Sequence, residues 1–295
     1  MDFTELRLFL DRMTNWKIPG ADCVVYYKDK PVFRHLSGYA DIEEQRPVTE
    51  DNLYFLYSAS KVITCVAALQ LFEKGRFLMT EPVSDYLPEF QEMMIKTQQG
   101  DQTELVKAKN SITIRDLFTM QAGFEYNLDT PAIQKVKEDT GGRSPTREIV
   151  KAIAAEPLLF EPGTHWNYSM CHDVIGALIE VISGQSFGEY LTQNMFEPLG
   201  MTDTGFALPE EKKQRMASQY SFDETLQKPV KIPLHNRYIL GSEYESGGAG
   251  LISSANDYIK LARVLCNNGR ADNGEHILCK PTIDLMRTNH LDGVS

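Results

Sequence analysis

Basic charge is scarce in this sequence. Thirty lysines and arginines stand against 41 aspartates and glutamates over 295 residues, for a formal net charge of −11. A surplus of that sign repels phosphate backbones and anionic headgroups, and no basic run offsets it, so no nucleic acid and no membrane is expected as a partner. Long apolar runs are missing at the N-terminus. Met1 to Met13 gather Leu6, Phe9, Leu10 and Met13 on one face of an amphipathic helix, but Glu5, Arg7, Asp11 and Arg12 interrupt them. Such a segment is neither a signal peptide nor a membrane span. Cysteine is sparse and unpatterned. Cys23, Cys65, Cys171, Cys266 and Cys279 lack metal-ligand spacing, and an odd, scattered set fits reduced thiols better than a disulfide framework. The expected setting is the cytoplasm, or outside it for a chain whose leader has been removed. No repeat and no low-complexity tract occurs, which excludes solenoid and fibrous architectures.

What is present is an ordinary globular composition, 42% hydrophobic and 24% charged, in a chain long enough to bury a large core. Cys23–Tyr27 and Val32–Leu36 flank Lys28-Asp29-Lys30-Pro31, a β-hairpin signal. Residues 90–111 are polar and irregular, and read as a loop or small hairpin with a turn at residues 98–101. Helices are predicted from Ile112 to Gly123, from Thr146 to Ala155 behind Pro145, and from Asp173 to Ser183 before Gly184. Ser186 with Glu189 is a capping box opening a helix to Phe196, and Ser254 with Asp257 caps another from Ala255 to Asn267.

The stretch with chemical content is Tyr57-Ser58-Ala59-Ser60-Lys61 and the helix that follows it. Val62, Val66, Leu69 and Phe72 form its stripe, with Ile63 and Ala67 beside them and Gly75 as the C-terminal cap. Ser58 and Lys61, three apart, share one face of the first turn. A serine is a poor nucleophile until a base takes its proton, and a lysine held against it can take or relay that proton. A helix N-terminus also offers N–H groups and partial positive charge where an oxyanion would develop. The plainer alternative is a capping serine beside a solvated lysine. Ser60 is a rival nucleophile, but only Ser58 stands three residues before Lys61.

Six segments decide between these readings. Phe55–Lys61, Leu71–Phe77 and Glu81–Pro88, together with Ile112–Gly123, Glu161–Ser169 and Pro198–Thr204, resemble the class C β-lactamases and penicillin-binding-protein-like serine hydrolases, a family that includes the family VIII carboxylesterases. The resemblance covers the chain from about residue 20 onward. It implies an α+β, β-lactamase/transpeptidase-like fold in a single domain, with an N-terminal helix and hairpin over 1–45 and a helical lobe over 46–295. It implies no metal and no organic cofactor. It also implies that Tyr168, after Pro162-Gly163, joins Ser58 and Lys61 as a proton-handling group, where the residue taken without those two reads as a buried core tyrosine.

The substrate side is read from the departures. Met170 stands where the family carries an asparagine whose amide binds acylamino side chains; a thioether offers no such donor, and this version is closer to the esterase branch. Tyr126 and His172 are further candidates for lining the pocket, with packing or hydrogen bonding as the alternatives, and His165 also flanks Tyr168. The substrate class implied is small esters or amides, ahead of β-lactams or D-alanyl peptides. No Lys-Thr-Gly, His-x-Gly or Trp-x-Gly triplet follows Tyr168, and the sequence stops where family members continue. The expectation is therefore an antiparallel sheet lacking its C-terminal strands, completed by a second chain or else leaving a catalytically silent binding module.

Overall fold

A computed structural model describes residues 1–99 and 102–291. Helix α1 (Thr4–Asn15) leads into β1 (Gly20–Tyr27) and β2 (Lys30–Asp41), an antiparallel pair joined by Lys28 and Asp29, both in left-handed conformation at φ 49° and 60°. That is the backbone of a type I′ turn, whose twist matches that of the flanking strands. The turn is two residues rather than four, and Pro31 already belongs to β2. It pairs with Tyr26, where the register shifts after Val25, as expected of a residue with no N–H to give the ladder. The short β3 (Arg46–Pro47) adds to β2, giving a three-stranded sheet of order β1-β2-β3.

β4 (Tyr54–Phe55) precedes α2 (Ser60–Glu73), the central helix. Ile63, Val66, Ala67, Ala68, Leu69 and Leu71 are buried on it, whereas Val62, expected in the apolar stripe, is exposed. The one-sided stripe is thus corrected to burial on most faces, the mark of a helix inside the core. Its end is as predicted. Gly75 is left-handed at φ 65°, the Arg76 N–H donates to the Leu71 carbonyl at 3.0 Å and the Gly75 N–H to the Phe72 carbonyl at 2.9 Å, a Schellman closure.

Residues 90–111 hold a hairpin, β5 (Met94–Gln99) with β6 (Gln102–Lys107); the predicted turn falls partly outside the described residues. The helix expected to reach Gly123 is only α3 (Ile114–Phe118), opened by a Thr113–Asp116 capping box. Met120, left-handed at φ 60°, rules out continuation, and its carbonyl accepts from the Asn167 N–H at 3.0 Å. A tertiary contact overrides helix propensity there.

Next come α4 (Pro131–Asp139), α5 (Thr146–Ala154), α6 (Cys171–Ser183), and α7 (Phe187–Leu191) continuing through a π-helical turn into α8 (Glu197–Leu199). Gly184 closes α6 in the left-handed region, and the capping box of Ser186 and Glu189 is present. α9 (Glu210–Lys213), the hairpin of β7 (Gln219–Asp223) and β8 (Lys228–Ile232), β9 (Ile252–Ser253), α10 (Ala255–Cys266) and α11 (Lys280–Met286) complete the order. α2 packs on α6 at the centre of the helical core, while α1 and α10 lie against the β1–β2 sheet. The fold is α+β, with antiparallel strands beside a helical lobe. No helix among the described residues is long and apolar enough to cross a membrane.

Candidate active site

Ser58 lies in a 3-10 turn, Tyr57–Ala59, that runs directly into α2. The turn is anchored from both sides. β4 pairs with β9 just before it, the Leu56 N–H donates to the Leu251 carbonyl at 2.9 Å, and the Leu251 N–H donates to Ser60 Oγ at 3.2 Å. Tyr57 itself is left-handed at φ 47°, which costs a non-glycine residue ~1 kcal/mol or more and is typical of functional turns. Ser58 is consequently exposed at the helix start, whereas Ser60 is 0% exposed and committed to Leu251. The rival nucleophile is inaccessible.

Lys61, the second residue of α2 and one turn beyond Ser58, is 8% exposed and donates to Ser58 Oγ at 3.3 Å and to the Gly248 carbonyl at 2.7 Å. Tyr168 arrives from the Pro162–Ser169 loop, and its hydroxyl lies 2.5 Å from Ser58 Oγ. Met120 fixes that loop, accepting from the Asn167 N–H with its carbonyl and from the Ser169 N–H with its sulfur at 3.3 Å. Asn167 adds a bond from Nδ2 to the Phe124 carbonyl at 2.8 Å. The Lys61 ammonium lies 4.7 Å from the centre of the Tyr168 ring, within cation–π range. Ser58, Lys61 and Tyr168 therefore meet at one point.

Tyr126 joins them. Its ring stacks on Tyr168 with centroids 5.5 Å apart and planes 9° from parallel, and burial holds its phenol well above the ordinary tyrosine range. Tyr238, which the sequence reading missed, meets Tyr126 edge-on at 5.8 Å and Tyr57 at 5.9 Å, and Trp166 lies 6.4 Å from Tyr168. The mouth is thus walled by aromatic rings. No spacing rule could have supplied Tyr238, because nothing in its own segment marks it.

Met170 and His172 lie deeper. Met170 is 2% exposed and lines a cavity of about 230 Å³ with Phe124, Asn127 and Leu159. His172 is buried with Nε2 at 3.1 Å from Cys65 Sγ, and none of its described hydrogen bonds reaches Ser58. Burial, reinforced by the nearby Lys61 charge, lowers its pKa to about 3, while burial pushes the Cys65 thiol up to about 12. Neither cysteine on the inner face competes as a nucleophile, since burial also pushes Cys171 up to about 12.

A pH dependence follows from His172. The unfolded imidazole takes a proton below about pH 6.5 and the native one not until about pH 3, so this group's contribution to stability is lost as pH falls through that window. Glu180 acts oppositely. Burial raises its carboxyl to about 7, so stability falls as pH rises from about 4.5 to 7. Relative to His172→Gln, the wild-type melting temperature is expected to drop steadily from pH 6.5 to 4, with Glu180 common to both proteins. A melting-temperature difference that stays constant over that range would contradict the assignment. Among the described residues, no cluster of three or more histidine, cysteine, aspartate or glutamate side chains is arranged to hold a metal ion.

A helix-borne serine and lysine with a loop tyrosine, on an α+β scaffold, define a class of protein, and comparison with known proteins gives the family. The Beta-lactamase family profile matches residues 7–292, and the chain belongs to that family. Esterase EstB of Burkholderia gladioli is 29% identical over 274 residues, covering 85% of this chain and 67% of that protein. Two solved structures are similar, each at 25% identity and covering 98% of this chain. They are EstCE1, described as a hydrolase with promiscuous acyltransferase activity, with a TM-score of 0.78 over 77% of its length, and simvastatin synthase (LovD) from Aspergillus terreus, with a TM-score of 0.80 over 73%.

Proposed function

We propose that this protein is a serine hydrolase that forms an acyl-enzyme on Ser58 and acts on small esters or amides. The observation that carries the proposal is the convergence on Ser58 Oγ of the Tyr168 hydroxyl at 2.5 Å and the Lys61 ammonium at 3.3 Å. In the first half-reaction Ser58 Oγ attacks the carbonyl carbon and passes its proton to the Tyr168 oxygen, which enters the step as a phenolate whose charge the Lys61 ammonium balances. The tetrahedral oxyanion faces the Ser58 N–H and the first turn of α2. Collapse breaks the bond to the leaving oxygen or nitrogen, which recovers the proton from Tyr168. Water, or another hydroxyl compound, then repeats the sequence in reverse and frees Ser58. The name of EstB supports an ester substrate, and the description of EstCE1 as a hydrolase with promiscuous acyltransferase activity supports transfer to an acceptor other than water.

The aromatic wall of Tyr57, Tyr126, Trp166 and Tyr238 favours an apolar acyl group over a polar acylamino one, whereas Met170, buried away from Ser58, does not reach it. The expected result is a kcat/KM for p-nitrophenyl butyrate ~10²-fold or more above that for nitrocefin, because an acylamino group gains no dedicated hydrogen bond. A preference for nitrocefin would replace this reading with a β-lactamase. An absence of both burst and turnover would leave a silent binding module.

A further inference from the structure

The catalytic lysine is held by a backbone carbonyl, and the fold spends a buried carboxylate on that carbonyl's position. Asp173, in the first turn of α6, is 2% exposed. Its Oδ1 accepts from Tyr244 Oη at 2.7 Å, Ser246 Oγ at 2.6 Å and the Gly248 N–H at 3.3 Å. Among the described residues these partners are hydroxyls and a backbone N–H rather than a cation. A buried carboxylate satisfied in this way costs desolvation that an apolar core residue would not. Each of its bonds ends on one short turn, residues 244–248, and Gly248 is the residue whose carbonyl receives Lys61 Nζ at 2.7 Å.

The turn admits no slack. A Cβ on Gly248 would stand 2.6 Å from Asp173 Oδ2, and one on Gly247 would collide with the His172 carbonyl. The Gly247 carbonyl also accepts from Thr64 Oγ1 at 2.7 Å, one turn beyond Lys61 on α2. Ser246 Oγ accepts in turn from the Ala249 N–H at 3.1 Å, so the hydroxyl that reaches Asp173 also shapes the chain beyond Gly248. The glycines are there because the backbone must approach α6 this closely.

The geometry points to Asp173 as a positioning residue for the proposed reaction: by fixing the 244–248 turn it aims the Gly248 carbonyl at Lys61 and so sets where the ammonium stands against Ser58 and Tyr168. The inference rests on the hydrolase reading, but concerns a different atom and has its own signature. Displacing a reacting group by about 1 Å costs ~10²-fold in rate.

Asp173→Ala is therefore expected to lower kcat on p-nitrophenyl butyrate by ~10²-fold, with KM little changed. Asp173→Asn, which keeps an oxygen at Oδ1, should lose less. In protein labelled with [13C]lysine, the Lys61 Cε resonance, assigned with Lys61→Arg, should move in both variants. A core variant in the same helix, Ile175→Ala, serves as the stability control and should lose melting temperature but keep its kcat and the Lys61 resonance. Wild-type kcat, or an unmoved Lys61 resonance, in a folded Asp173→Asn or Asp173→Ala protein overturns the inference. If Asp173→Ala does not fold, Asp173→Asn and Ser246→Ala decide by the same two readouts. If the wild type shows no turnover, the hydrolase reading fails, and the Lys61 resonance alone still decides the role of Asp173.

Discussion

Ser58→Ala is expected to reduce ester turnover by ~10⁴-fold or more, on the scale seen when a nucleophile or its triad partner is removed. The reasoning starts from exposure. Ser58 is open to a substrate at the head of α2, while Ser60 is enclosed and bonded to the Leu251 N–H, so no second hydroxyl stands ready. A fluorophosphonate should label wild-type protein at one residue, identified by peptide mass spectrometry as Ser58, and should leave Ser58→Ala unlabelled. The fold should tolerate the change, since the turn is held by backbone bonds and by Ser60 rather than by the Ser58 side chain. Label on Ser60, or burst kinetics retained in Ser58→Ala, would refute the assignment.

Tyr168→Phe should be nearly as damaging, by ~10² to 10⁴-fold in kcat, the range for a positioned acid or base. The substitution keeps the ring that stacks on Tyr126 and removes only the oxygen 2.5 Å from Ser58 Oγ, so packing and proton transfer are separated. Lys61→Ala should cost a similar factor, and the double variant should fall little below either single one, because members of one proton-handling unit are not additive. Additive losses would show that the two residues act independently. An unchanged rate in Tyr168→Phe would reduce Tyr168 to a wall of the pocket.

That Ser58, Lys61 and Tyr168 would meet was legible because the first two are three apart on one helix turn and the third follows a recognisable Pro-Gly loop. Local periodicity and capping also located α2, α5, α6 and α10 within a few residues. What failed was decided at long range. The helix before Gly123 stops early because Met120 is needed by the Tyr168 loop, and Val62 is exposed because α2 is covered on its other sides. Tyr238 and Asp173 were not singled out, since a contact such as the Gly248–Asp173 bond joins residues 75 apart. One signal was available. The run Gly247-Gly248-Ala249-Gly250 announces that a backbone comes close to something, though not to what.

The tie between β4 and β9 has a consequence for how the protein is made. The first part of the site leaves the ribosome early, with Ser58 and Lys61 near the start of the chain. The carbonyl that seats Lys61 is 187 residues downstream, and the strand that clamps Phe55 comes after it. Closing a loop of that size must be paid for in entropy before any contact rewards it, so it comes late and slowly. A nascent chain thus carries Ser58 and Lys61 for a long stretch of synthesis before the Gly248 carbonyl and the Ile252–Ser253 strand can hold them in place.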